Sequence, residues 1–482
     1  MNRALVFHIA KHFWLNTFRS KAIYPIMIIV GLIVAFAAYS GWKSYATHNH
    51  IRTHYQQVAR ESWEANPDKH PHRMAHYGSF AFRLKHALSV FDFGLESFTG
   101  NAVFLEAHKQ NSVNFSEASF STGLLRFGEI SMAMILQIIL PLVIFFLGFV
   151  SVAVEREHGT LKIILSQGAG WKEILIGKSV GLMGLAFLFF IPVALVILLL
   201  LFLATEGGLT ADIWLRYAGI LISYLLFFLI ISIITVLISA VSKSSKDALI
   251  KLLALWLFFF ILLPRTTQAL GSYFYASPSK AEFESVVEKE LIKTGDSHNP
   301  DDPHYKHLKD SVLLAHQVNS VEELPFNYSG FVMREGEKLS SRIYNDHLND
   351  LLETYRKQNS FTRITALINP YVAVKNVSMA ISGTDFESYI DFQRQAEDYR
   401  YQLAQQMNEL QMELISNKAP APGEKPHTIS RDHWKQLPDF KHRYISISST
   451  LRSELWSIIA LLGWSIATVG GIIYLSKKAK AI

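Results

Sequence analysis

The chain has no cysteine among its 482 residues. Disulfides, thiol nucleophiles and thiolate metal sites are thereby excluded, and the redox compartment cannot be read from cysteine pairing. Charge is scarce too, at 18% of residues against 50% hydrophobic. The scarcity is local. Several apolar runs of about 18 residues or more carry almost no charge, and that length crosses ~30 Å of hydrocarbon. No Asp, Glu, Lys, Arg or His lies in the middle of any run; Lys251, near one end, can reach the headgroups along its stem. Ion-driven transporters usually keep an ionisable group at mid-depth as a partner for the coupling ion, so proton- or sodium-driven transport is disfavoured. The polar groups that the runs do carry, among them Gln137, Ser232, Thr235 and Ser239, usually bond within or between helices. The first run lacks the small-residue cleavage site of a removable leader. The net charge of +6 is no nucleic-acid footprint, because the basic excess lies beside the runs, where a membrane protein needs it.

The runs fall at about 22–39, 130–154, 182–204, 217–241, 248–264 and 455–475, which predicts six transmembrane helices. Ahead of them, Val6, Ile9, Ala10 and Phe13 share one side at helical spacing, with Phe7, Trp14 and Phe18 beside them. His12, Asn16 and Arg19 lie opposite, Lys11 sits on the polar edge, and Leu15 breaks the pattern. A basic helix with an aromatic face is expected to lie in the membrane interface. Six crossings put both termini on one side. Arg3, Lys11, Arg19, Lys21, Lys162, Lys172, Lys178, Lys243, Lys246, Lys477, Lys478 and Lys480 all fall on that side. The opposite loop from Thr205 to Ile213 holds Glu206 and Asp212 and neither Lys nor Arg. The positive-inside rule then makes both termini cytoplasmic, with Arg216 the one basic residue against it.

Two long polar segments, residues 40–129 and 265–454, are left on the far side. They are expected to form one mainly helical extracytoplasmic domain. Tyr344, Leu348, Leu351, Leu352 and Tyr355 make one helical stripe; Phe392, Ala396, Tyr399, Leu403, Met407, Leu410 and Leu414 make a longer one, with a start signal at Thr384-Asp385. Residues 417–426, NKAPAPGEKP, read as a linker. The fold class is therefore an all-α integral membrane protein: interfacial helix and first span over 1–39, spans two to five over 130–264, and the sixth span with a basic tail over 455–482.

Chemistry is harder to find. Gly177-Lys178-Ser179 mimics the end of a phosphate loop, but that loop needs a glycine where Lys172 stands, and a strand before it. No ATP site, catalytic residue, cofactor or metal is expected of this chain. His48, His50, His54, His70, His72 and His76 cluster after the first span. The pairs His50/His54 and His72/His76 have helical spacing for metal ligands, yet HExxH is missing and Pro71 disturbs a helix. A polar outer surface is favoured over a metal site, because neither cysteine nor a paired carboxylate completes a ligand set. A membrane-bound hydrolase is a poor reading, because no nucleophile motif such as GxSxG is expected in the chain and the histidines lack partners, and Asp92 and Glu106 read as structural. The stretch 155–178, EREHGTLKIILSQGAGWKEILIGK, cannot cross a bilayer. It reads as an elbow of two short helical pieces. Glu155 and Glu157 end a span, Gly159 permits a bend, Thr160 can cap the next turn, and Leu161, Ile163, Ile164 and Leu165 form an apolar knob before Trp171 and Lys172. Spacing alone leaves two readings open, a segment pushed by a partner or an ordinary interfacial loop.

That stretch looks like the coupling segment of ABC-2-type transporter permeases. PHRMAHYGSFAFRLKHALSVFDFGLESFTGNAVFLEAHKQN (71–111), SGTDFESYIDFQRQAEDYR (382–400) and WKQLPDFKHR (434–443) resemble a subgroup of those permeases with a large extracytoplasmic insertion of unassigned role. The resemblance implies a permease subunit in a bacterial inner membrane, with both termini cytoplasmic. It implies two copies of a separate ABC ATPase docked on Glu155, Glu157, Gly159, Thr160, Leu161, Ile164, Trp171 and Lys172. A second permease copy or paralogue would complete a dimer. The cargo would be amphipathic or apolar and exported. The alternative is an ATPase-coupled mechanotransmitter or envelope-assembly anchor that does not transport.

Overall fold

A computed structural model of the protein describes residues 2–478, except 97, 111–129, 206–207, 298, 300, 419, 421–422 and 424–425. Expectations resting on Glu206, Lys480, 111–129 and parts of the 417–426 linker lie outside the described residues. Among the described residues, six helices are long and apolar enough to cross a membrane: Ile23–Glu64, Met132–Glu157, Trp171–Ala204, Ala211–Val241, Ser245–Phe274 and Leu455–Lys478. We number them spans one to six. The chain is a multi-pass helical membrane protein. Spans two, three and four form the centre, with 56%, 50% and 61% of their most apolar stretch buried, against 17%, 17% and 22% for spans one, five and six.

Span one departs most from expectation. Its helix does not stop at Tyr39 but runs 42 residues, about 63 Å at 1.5 Å per residue, twice a bilayer's hydrocarbon thickness. Its one proline, Pro25, sits in the first turn, where a missing N–H breaks no helical bond, and the next is Pro67. Gly41 lies in its course where another backbone presses close: a Cβ there would sit 2.5 Å from the Val90 carbonyl oxygen.

Two spans carry a wide π-helical turn, Ile135–Ile139 in span two and Leu257–Leu262 in span five. Each is followed by a proline, Pro141 or Pro264, whose nitrogen cannot donate to the helical ladder. Donors from neighbouring elements satisfy the loosened carbonyls. The Trp256 indole donates to Ile138 O at 3.0 Å, and the Asn369 amide to Phe259 O at 2.6 Å. At Phe149, between two helical stretches of span two, the Ser239 hydroxyl donates to Phe149 O at 2.7 Å and accepts from the Val152 and Ala153 amides. An unsatisfied backbone group in hydrocarbon would cost several kcal/mol.

The amino-terminal helix Arg3–Arg19 forms as its periodicity predicts, with Asn2 as N-cap. Its apolar stripe packs on span three. Gly177, Gly181 and Gly184 line one face of that span, where added Cβ atoms would lie 2.8 Å from Ile9, 3.0 Å from Phe13 and 2.9 Å from Trp14. The bare backbone lets the two helices approach closely, and the Trp14 indole donates to Gly181 O at 2.7 Å. Phe7 and Leu15 remain exposed.

The two polar segments pack together into one body, which we call the head. The Trp63 indole at the end of the long first helix donates to Trp434 O at 3.1 Å, and the Trp434 indole to Pro67 O at 3.2 Å. The expected stripes lie on helices Tyr328–Ile364 and Phe386–Leu414, the latter capped by Asp385. Phe392, Ala396, Leu403 and Met407 are buried, whereas Leu414 is exposed. The all-α expectation needs one correction. Ser79–Phe82 and Ala102–Leu105 form an antiparallel two-stranded sheet in register Ser79 to Leu105. Alternation puts Ala81, Val103 and Leu105 against Phe392, Ala396 and Phe440.

One head helix enters the bundle. Pro370–Ser382 has 13 residues, about 20 Å and too short to span a bilayer. It is buried on almost every side and shares a core with spans two to six. Arg216, the exception to the charge rule, is consumed nearby: it bonds Asp212 at 2.6 Å, Ile381 O at 2.8 Å and Ile445 O, tying span four to this helix and to the approach to span six.

Candidate functional site

The elbow lies at the end of the bundle opposite the head connections, and it is one short helix rather than two. Span two ends at Glu157, the elbow helix is Thr160–Ser166, and Trp171 already opens span three. Gly159 (φ +73°) and Gly168 (φ +91°) bracket the elbow helix in left-handed conformations, and added Cβ atoms there would meet nothing within 4 Å. At these two positions glycine serves the turn, not packing.

The residues read as coupling contacts divide into two groups. Leu161 is 1% exposed and belongs to the bundle core, as does Trp171. Ile164 is half-buried against the same core. The apolar knob thus anchors the elbow inward, because Leu161, Ile164 and Leu165 share the helix face toward the spans. Glu155 is bonded to Lys178, which is 6% exposed and lies 5.6 Å over the Phe13 ring. Thr160 does not cap the following turn; its hydroxyl donates back to Glu155 O at 3.2 Å. Glu157, Gly159, Thr160 and Lys172 are exposed, joined by Lys162 and by Ile163 at 55% exposure. Ile163 is the apolar residue that the elbow helix presents outward.

Neighbours brace this surface. Arg156 donates to Ala240 O at 2.6 Å and Ser242 O at 2.5 Å, closing the carbonyl end of span four. Glu157 accepts from the Ser245 hydroxyl at 2.5 Å, and the Asn2 amide donates to Glu173 at 3.1 Å. Spans two, three, four and five and the amino-terminal helix therefore converge on the elbow.

Gly177-Lys178-Ser179 lies inside the continuous helix of span three, with Lys178 bound to Glu155. Its amides serve the helix, not a loop that could cradle phosphate. The expectation that GxSxG is absent needs a correction, because the residues GKSVG from Gly177 to Gly181 have the spacing of a hydrolase nucleophile. The fold removes that reading too, because no strand precedes them and Ser179 is buried in the helix.

An acid from outside the spans does reach the bundle. Asp92 accepts from the Ser378 hydroxyl at 2.5 Å; Tyr224 lies 3.1 Å from the same hydroxyl and accepts from the Gln137 amide at 2.7 Å. Burial pushes the Asp92 carboxyl up, against the bonds from Ser378 and Gly94. The periodicity of the spans could not reveal this group, which comes from the segment between spans one and two.

Residues 280–443, in the head, match a family described as a domain of unknown function (DUF3526). The match includes the helix that enters the bundle and excludes the elbow. No curated protein matches the chain.

Proposed function

We propose that this chain is the transmembrane permease subunit of an ATP-driven transporter of the ABC-2 type, powered by a separate ATPase that docks on the elbow. The observation that carries the reading is the elbow itself: a short helix between two left-handed glycines, anchored inward by Leu161 and Trp171 and exposing Ile163 and Lys162. A partner pressing on Ile163 would push on the ends of four spans through contacts already made. Two chains would flank one pathway, and the cargo would be amphipathic or apolar and exported.

Ile163→Asp is the appropriate test, since the side chain is exposed and the fold does not depend on it. Leu161→Asp would bury a charge inside the bundle and destroy the fold first. Desolvating an unpaired charge costs several kcal/mol, so ATPase affinity should fall by roughly 100-fold or more. The variant should insert and elute like wild type but lose an ABC ATPase co-expressed from a neighbouring gene. Full retention with full coupled turnover would reject docking at this face.

The mechanotransmitter alternative draws on a different observation. The first span continues unbroken into the head, and a head helix lies within the bundle. Work done on the spans would therefore move the head. Transport of a hydrophobic dye by reconstituted chain and ATPase supports the permease; ATP-dependent head movement without transport supports the alternative.

A further inference from the structure

Three histidines meet in the head, two at the helical spacing seen in the sequence and a third from beyond the second strand. His72 and His76 lie one turn apart on and just after the helix Pro71–Ala75, and His108 follows the second strand. Pro71 does not disturb this helix; it occupies the first turn, where a missing N–H costs nothing, and His70 caps it by accepting from the His72 amide. Ring centroids lie 4.7 Å apart for His72 and His76, and 5.4 Å from each to His108. One nitrogen from each ring falls within 4.8 Å of the others. Tetrahedral zinc with bonds of ~2.05 Å needs nitrogens ~3.4 Å apart, a small ring rotation away.

We propose that His72, His76 and His108 form a binding site for a divalent transition ion that prefers imidazole, such as zinc. His108 carries two further signs of a prepared ligand. Its backbone is left-handed at φ 61°, uncommon outside glycine. Its Nδ1 and its backbone amide both lie 3.1 Å from the Glu337 carboxylate. Arg400 holds that carboxylate in turn, at 2.7 Å. A carboxylate on Nδ1 fixes the ring and assigns Nε2 to the ion. Three imidazoles leave a fourth position for water or a ligand. His76 is exposed, and His72 also lines a cleft of about 730 Å³ beside Lys69, Arg73 and His427, so the site has an approach from solvent.

The test is zinc content of the full chain, purified in detergent through a tag without histidine. Wild type should retain one zinc per chain through gel filtration. His76→Ala should lose it while melting at the same temperature in the presence of chelator, because His76 is exposed. His50→Ala/His54→Ala, a pair with the same spacing on the helix of span one, should keep it. Cobalt loaded in place of zinc should give visible absorption in wild type and none in His76→Ala. Wild type without zinc above background, His76→Ala with full zinc, or loss in the His50/His54 pair would each overturn the site.

Discussion

Arg400→Met should destabilise the head by about 3–5 kcal/mol, because it strands a buried carboxylate. Glu337 and Arg400 are 0% and 1% exposed as side chains and meet at 2.7 Å. Arg400 also bonds Glu397 through two nitrogens at 2.7 Å and reaches Glu106 O at 3.4 Å. Burial would push the Glu337 carboxyl up, but the bond from His108 and the charge of Arg400 outweigh it and hold the group at about 2. Without the guanidinium, the carboxylate must take a proton or draw in water. Arg400→Met/Glu337→Gln should recover much of the loss, since the neutral amide still accepts from His108. The head has its own reporters in the buried Trp63 and Trp434. Their fluorescence during melting should show a large drop in midpoint for the single variant and a partial return for the double. Equal drops for both would contradict an ionised Glu337.

Acid should weaken the protein through two other buried groups. His86 and His442 are 4% and 9% exposed. Burial and the Arg216 charge depress His86 to about 3; burial and the charges of Arg83 and Arg52 do the same for His442. Both are thus neutral when folded, and each accepts a backbone bond on Nδ1, from Leu88 at 3.1 Å and Leu84 at 3.3 Å. The unfolded chain takes protons on these rings near pH 6.5, and the folded chain resists until about 3. Their contribution is therefore complete above pH 6.5 and is lost as pH falls toward 3, at about 1.4 kcal/mol per pH unit for each ring. Below pH ~4.5 Glu337, whose pKa is also depressed, adds to the loss in the same direction. His86→Asn/His442→Asn keeps an acceptor in place of Nδ1 and removes the proton site. The double variant should melt lower at pH 7.5 but lose less per pH unit between 6.5 and 5. An unchanged slope would mean that the acid sensitivity arises elsewhere.

The spans were legible because twenty apolar residues in a row admit few other structures. The continuation of span one beyond Tyr39 was not, since its polar, histidine-rich surface resembles a loop and its helical stripe is weak. The short buried helix Pro370–Ser382 escaped for the opposite reason: it is apolar, but shorter than a span. At the elbow the sequence located the bend at Gly159 and the apolar residues that follow it. It did not say which of those residues point inward, because a seven-residue helix gives too few positions to define a face. Leu161, with its burial in the bundle, and Ile163, with its exposure, could be told apart only in three dimensions. The histidine group shows the same limit. His72 and His76 are visible at their spacing, whereas His108 lies across a strand pair whose register no local pattern supplies.

The proposed function requires the elbow to face the cytoplasm and to be covered there by an ATPase. The natural chain has no cysteine, so single thiols at Ser166, on the elbow helix, and Ser311, in the head, can be followed without background; both positions are exposed. On intact spheroplasts, an impermeant maleimide should label Ser311→Cys and spare Ser166→Cys. Once the membrane is opened, Ser166→Cys should react, and a co-expressed ABC ATPase should protect it. Labelling of Ser166→Cys on intact spheroplasts, or equal labelling in opened membranes with and without the ATPase, would contradict the account.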